Sequence, residues 1–226
     1  LNNVIPFSLI VWGESKVAPG LGAVLNATTP FFTVLVAHAF TTNERLSWNR
    51  LTGALVGLLG VAGLVGFDAI GKLGGDFWYQ MMFVLASVLY AFSAIWARRF
   101  SNTPPLVNAA SQTAASSVLL LPLMLIFDQP WTLAMPSALA IYSQLGLSLL
   151  CTAVAYILFF TIIKRAGSTN ISLVTFLVPI SAMILGATLL NEHITSNHIM
   201  GMLVIGLGLA LIDGRIPAKM LKSVRG

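Results

Sequence analysis

The sequence predicts an all-α polytopic membrane protein, and three observations carry that prediction. Of the 226 residues, 57% are hydrophobic and 8% charged, with mean hydropathy +0.89; a soluble domain needs about 25% charged residues to solvate its surface. Uncharged stretches of about 20 residues, long enough to cross a bilayer core, recur between loop signals. The basic residues fall mostly in alternate connections, as cytoplasmic loops require. Long runs of Leu, Ala, Gly and Met without period-2 alternation choose helices over a closed barrel. The same composition excludes intrinsic disorder. A disulfide scaffold is excluded because the one cysteine, Cys151, lies in an apolar run. The net charge of +5 comes from Lys and Arg placed singly or in pairs, which is loop charge and not a nucleic-acid-binding face.

The elements follow in order. An apolar stub covers about 1–12, and spans are predicted near 18–42, 48–67, 77–97, 104–127, 137–163, 168–190 and 196–213. The clearest is 77–97, bounded by Asp76 and by Arg98-Arg99 with no charge between. Phe127-Asp128-Gln129-Pro130 and Met135-Pro136 divide what would otherwise be one overlong apolar stretch. Trp48, Trp78 and Trp131 stand at span starts, as interfacial anchors do. One set of connections holds Arg45 and Arg50, Arg98 and Arg99, Lys164 and Arg165, and in the tail Arg215, Lys219, Lys222 and Arg225; the other set holds only Lys16 and Lys72. Ten against two predicts a cytoplasmic C-terminus. The chain opens Leu1-Asn2-Asn3-Val4, with no Met and no signal-peptide pattern before the first apolar stretch, and is expected to be N-terminally truncated.

Self-comparison reveals a repeat. Thr29-Pro30-Phe31 leads to Asn43-Glu44, then Ser47, Asn49 and Gly53; Val178-Pro179-Ile180 leads to Asn191-Glu192, then Thr195, Asn197 and Gly201. The second copy begins five spans after the first, an odd offset, so the copies cross the membrane in opposite directions. Inverted repeats of this kind serve alternating access in many secondary transporters.

Thr152-x-x-x-Tyr156, Lys164-Arg165-Ala166-Gly167, Phe176-Leu177-Val178-Pro179, Leu190-Asn191-Glu192 and Gly201 resemble, in that order, the second repeat of the EamA family of the drug/metabolite transporter superfamily. Pro30, Glu44 and Gly53 resemble the matching positions of its first repeat. The resemblance implies two inverted five-helix repeats and ten spans, of which about seven and a stub are present. It divides the chain into a first-repeat remnant at 1–73, a second repeat at 74–215 and a cytoplasmic tail at 216–226. It also implies a carrier of small metabolites, often an exporter of amino acids or related compounds, in a bacterial-type inner or plasma membrane, with a central cavity and no cofactor.

Several residues have both a functional and a structural reading. Asn26, Thr29, Thr33 and Ala37, spaced by three or four, make a small polar stripe beside Pro30; Ser172, Thr175, Pro179, Ala182 and Gly186 repeat it. Such stripes line cavities or let helices approach closely. Ser87, Tyr90 and Ala94, with Thr152 and Tyr156, follow the same pattern, and the two tyrosines lie deep enough to meet an amphipathic solute. Pro30 and Pro179, at matching positions, are candidate hinges. Glu44 and Glu192, each near a Ser or Thr that could cap the next helix, read as structural hairpin locks, one on each side of the membrane. Gly53, Gly57, Gly60, Gly63 and Gly66, with Gly201, Gly206 and Gly208, form close-packing faces, used within the chain or in a homodimer. All seven acids lie near loops or span ends, so no buried carboxylate relay is evident, and His38 reads as a packing histidine. The competing functions are a membrane-embedded enzyme, whose only constellation is Glu192-His193 with His198, and a scaffold that transports nothing; a zinc site is disfavoured by the five-residue histidine spacing. The expected partners are a small-molecule substrate and the lipid bilayer.

Overall fold

The computed structural model describes residues 2–41, 47–65, 76–132, 134–189 and 195–213. Every regular element among them is helical. They are α1 (Val4–Glu14), α2 (Pro19–Asn26), α3 (Thr29–Phe40), α4 (Trp48–Val65), α5 (Phe77–Ala97), α6 (Pro105–Leu123), α7 (Ala138–Gly146), α8 (Val154–Ser172), α9 (Val174–Leu189) and α10 (Ser196–Asp213). A π-helical turn, Met124–Asp128, follows α6, and a second, Leu147–Ala153, joins α7 to α8. Among the described residues, five stretches are long and apolar enough to cross a bilayer: Gly20–Phe40, Trp48–Val65, Phe77–Phe100, Pro105–Asp128 and Ala138–Ser172. With these helices the chain is an integral membrane protein. α9 and α10, expected as full spans, have 16 and 18 residues, about 24 and 27 Å of helix, at the short end for a bilayer.

Local sequence sets the boundaries. Pro19 opens α2, where its fixed φ suits the first turn and its missing N–H is no loss. Ser47 Oγ accepts the Arg50 N–H at 3.3 Å and caps α4; Ser137 Oγ does the same for α7 through Ala140 N–H at 3.2 Å. The turn expected near Asp128 is made by Gln129, which takes a left-handed φ of 43°. At the start of α10 the Thr195 N–H donates to His198 Nδ1 at 3.3 Å.

Three boundaries correct the sequence reading, one of them in the span expected over 168–190, which is divided at Leu173 between α8 and α9. The span expected as one helix over 18–42 is two, α2 and α3, broken at Ala27-Thr28. Pro30 has no N–H for the Asn26 carbonyl and cannot continue the ladder. The loop expected over 164–167 is narrower: Lys164 to Ala166 stay helical, and only Gly167 leaves the helix, with φ 86° and ψ 179°, a region open to glycine alone.

The chain forms two compact units, one of residues 1–95 with 168–226 and one of 96–167. The core of the first gathers Val24, Ala54, Val61, Phe176, Ile205 and Ile212 from α2, α4, α9 and α10. Its main pairing is α4 with α10, laid antiparallel: Gly53 abuts Gly208 and Ile212, while Gly60 abuts Gly201 and Ile205. A Cβ on Gly208 would lie 2.5 Å from Gly57 N, and one on Gly201 would lie 2.6 Å from Leu64 N, so the two backbones touch directly. These glycines are thus used within the chain, whereas Gly63 and Gly206 meet nothing within 4 Å. Phe83 of α5 wedges against α1 and α2, where Gly13 and Gly22 admit its ring. In the second unit, α6 and α7 present exposed Leu, Val and Ile side chains, the surface that lipid requires.

Candidate functional site

The polar stripe of α2 and α3 faces protein. Thr29, Pro30, Thr33 and Ala37 are buried, Thr33 and Ala37 completely. Both threonines bond back to their own chain: Thr29 Oγ1 donates to the Asn26 carbonyl at 2.7 Å, and Thr33 Oγ1 to the Thr29 carbonyl at 2.8 Å. Ser87 of α5 is also completely buried, and its Oγ lies 3.3 Å from both the Leu25 and the Asn26 carbonyls. The structure therefore brings Asn26, Thr29, Pro30 and Ser87 together at the break between α2 and α3. Asn26 Oδ1 is buried there with no hydrogen-bond partner.

Other candidates of the first unit keep some exposure. Tyr90, one turn beyond Ser87, is half-buried, its ring edge-on to Phe7 with centroids 6.5 Å apart. Ala94 beyond it is buried. On α9, Thr175 and Pro179 are half-buried, and Pro179 sits inside a continuous helix, unlike Pro30. Phe176, between them, is completely buried and packs its ring on Gly57. Ser172 is buried and donates to the Thr169 carbonyl at 2.7 Å.

In the second unit, Thr152 lies exposed within the π-helical turn Leu147–Ala153, and its Oγ1 donates to the Leu147 carbonyl, five residues back, at 3.1 Å. Tyr156 follows one turn later, half-buried, with its ring edge-on to Phe159 at 6.3 Å. Widened turns of this type collect at functional sites because they leave the regular ladder out of register. No signal in the sequence announced this one. At the foot of α5, the Arg99 guanidinium stacks 4.0 Å over the Trp96 ring, keeping its charge at the span end.

Some expectations fall elsewhere. Glu44, Glu192 and His193 lie outside the described residues. His38, read as a packing histidine, is exposed in the last turn of α3. Among the described residues, no three His, Cys, Asp or Glu side chains gather as a metal-binding group.

Comparison with known proteins agrees with this architecture. Residues 1–66 and 77–213 match the description "EamA-like transporter family". Bacillus subtilis "Uncharacterized transporter YoaV" is 25% identical over 206 residues, covering 89% of this chain and 68% of that protein. Escherichia coli "Uncharacterized inner membrane transporter YedA" is 24% identical over 200 residues, covering 88% and 63%. A Streptantibioticus cattleyicolor protein named "Probable terminal-alkyne amino-acid exporter" is 26% identical over 184 residues, covering 81% and 60%. The chain thus spans between 60% and 68% of these three relatives' lengths. A solved crystal structure shares the fold at TM-score 0.76 and 17% identity, over 92% of this chain and 71% of that one.

Proposed function

Because the chain belongs to the EamA-like transporter family, we propose that it carries small metabolites such as amino acids outward across an inner or plasma membrane, by alternating access between its inverted copies. What supports the reading is the family match over nearly the whole chain, together with relatives whose names say transporter and, in one case, amino-acid exporter. The antiparallel pairing of α4 with α10 is the relation expected of the same helix in two inverted copies.

We assign solute contact to Tyr90, Thr152, Tyr156, Thr175 and Pro179, which keep exposed or half-exposed surface. Asn26, Thr29, Pro30, Thr33, Ser87 and Ala94 then shape the helices of the first unit. Tyr90 and Tyr156 offer a flat apolar face and a hydroxyl, suited to a solute with both characters. The orientation proposed with this function places the C-terminus in the cytoplasm, on the strength of the basic-residue alternation.

Counterflow into proteoliposomes preloaded with an unlabelled amino-acid mixture tests the reading. Uptake of labelled amino acids against empty-vesicle controls is expected. Absence of both flux and solute-dependent thermal stabilisation across the mixture would favour the scaffold reading instead.

A further inference from the structure

At the break between α2 and α3 the Leu25 and Asn26 carbonyls take hydroxyl donors, one of which comes from another helix. Pro30 cannot supply the N–H that would reach the Asn26 carbonyl. Around the break Leu25, Ala27, Thr29 and Pro30 are buried, so the Asn26 oxygen must find donors inside the molecule, while the Leu25 oxygen also accepts the Thr28 N–H at 3.2 Å. Thr28 Oγ1 and Thr29 Oγ1 supply local bonds of 2.6 and 2.7 Å. A donor from a distant part of the chain is Ser87 Oγ, whose single proton is shared between two carbonyls, each 3.3 Å away. Contacts of that length are weak for an O–H donor. They hold the break without fixing it. Pro179 at the matching position stays inside the continuous helix α9; the second copy is interrupted at Leu173, six residues before its proline and away from it.

We propose that Ser87 is the latch of a one-sided hinge: its hydroxyl joins α5 to the carbonyls that Pro30 frees, and α2 and α3 pivot there, while the proline of the second copy makes no equivalent joint. Because the latch is a shared bond between one hydroxyl and two oxygens, a small rotation moves the proton from one carbonyl to the other without leaving either half-helix unsupported. The inference rests on the geometry of the break alone and does not depend on any solute.

Hydrogen–deuterium exchange of the full chain in detergent tests it, read on peptides covering 24–34 and 48–65. Ser87→Ala is expected to speed exchange of the first peptide by about three- to tenfold, the effect of losing one net hydrogen bond, and to leave the second unchanged. Pro30→Ala returns an N–H to the Asn26 carbonyl; on that background Ser87→Ala is expected to change exchange by about twofold at most. Pro179→Ala should leave the full effect of Ser87→Ala in place. Ser87→Cys, which keeps the size but donates weakly, should fall between serine and alanine on the native background, a comparison that stands even if the proline variants fail to insert. Equal acceleration by Ser87→Ala with Pro30 and with Ala at position 30 would show a general packing defect and overturn the latch. So would acceleration spread evenly over 48–65, or none at all.

Discussion

Thr29 and Thr33 are buried, and each hydroxyl bonds to a carbonyl of its own segment; Tyr90 and Tyr156 keep part of their surface open. That contrast separates groups that hold helices from groups able to meet a solute. Tyr90→Ala, Thr152→Ala and Tyr156→Ala are therefore expected to raise the apparent KM for solute several-fold while expression and melting temperature hold. A lost aromatic or hydrogen-bond contact is worth about 1–3 kcal/mol. Unchanged kinetics in all three well-expressed variants would remove them from the site. Glu44 and Glu192 are expected to act through stability. Glu44→Ala and Glu192→Ala should lose about 0.5–2 kcal/mol, the range of a missing cap, whereas Glu44→Gln and Glu192→Gln keep an acceptor and should retain transport. A stable Gln variant whose flux loses its pH dependence would assign these carboxylates to coupling.

At the scale of elements, composition and loop residues were enough to place most of the helices, because lipid leaves a spanning chain few alternatives. Asp76 and Arg98-Arg99 bracket α5 as expected, and Ser47 caps α4. The break between α2 and α3 was less legible. Proline in a membrane span can kink, break or merely interrupt one bond, and the choice depends on what lies opposite: Ser87 supports the freed carbonyls beside Pro30, whereas Pro179 sits in an unbroken helix. The π-helical turn carrying Thr152 leaves no trace in residue type at all. Gly167 was read as a loop glycine, but its role is narrower, since it alone supplies the backbone angle between two helical segments. Gly167→Ala is expected to cost about 1–3 kcal/mol from that angle, seen as a lower melting temperature in detergent. Gly208→Val, which drives a side chain into the α4 backbone, should reduce folded protein more severely, because neither main chain can yield. A Gly208→Val protein as stable as the parent would refute the direct contact.

For the molecule as a whole, the alternation of basic residues makes a prediction about sides. In a Cys151→Ala background, which removes the exposed native thiol, Ser101→Cys and Lys222→Cys are expected to resist an impermeant maleimide added to intact cells, while Pro130→Cys and Ser196→Cys react. The reverse pattern would invert the topology. The pairing of α4 with α10 also has a consequence in time. Gly53 and Gly208 meet across a separation of 155 residues in sequence, and a ribosome adding about 5–20 residues per second takes roughly eight to thirty seconds to deliver the second after the first. Throughout that interval α4 lacks the helix that fills its glycine groove, and α10 closes it on arrival. A nascent chain halted before residue 201 would thus carry a bare, lipid-exposed groove that a finished chain conceals.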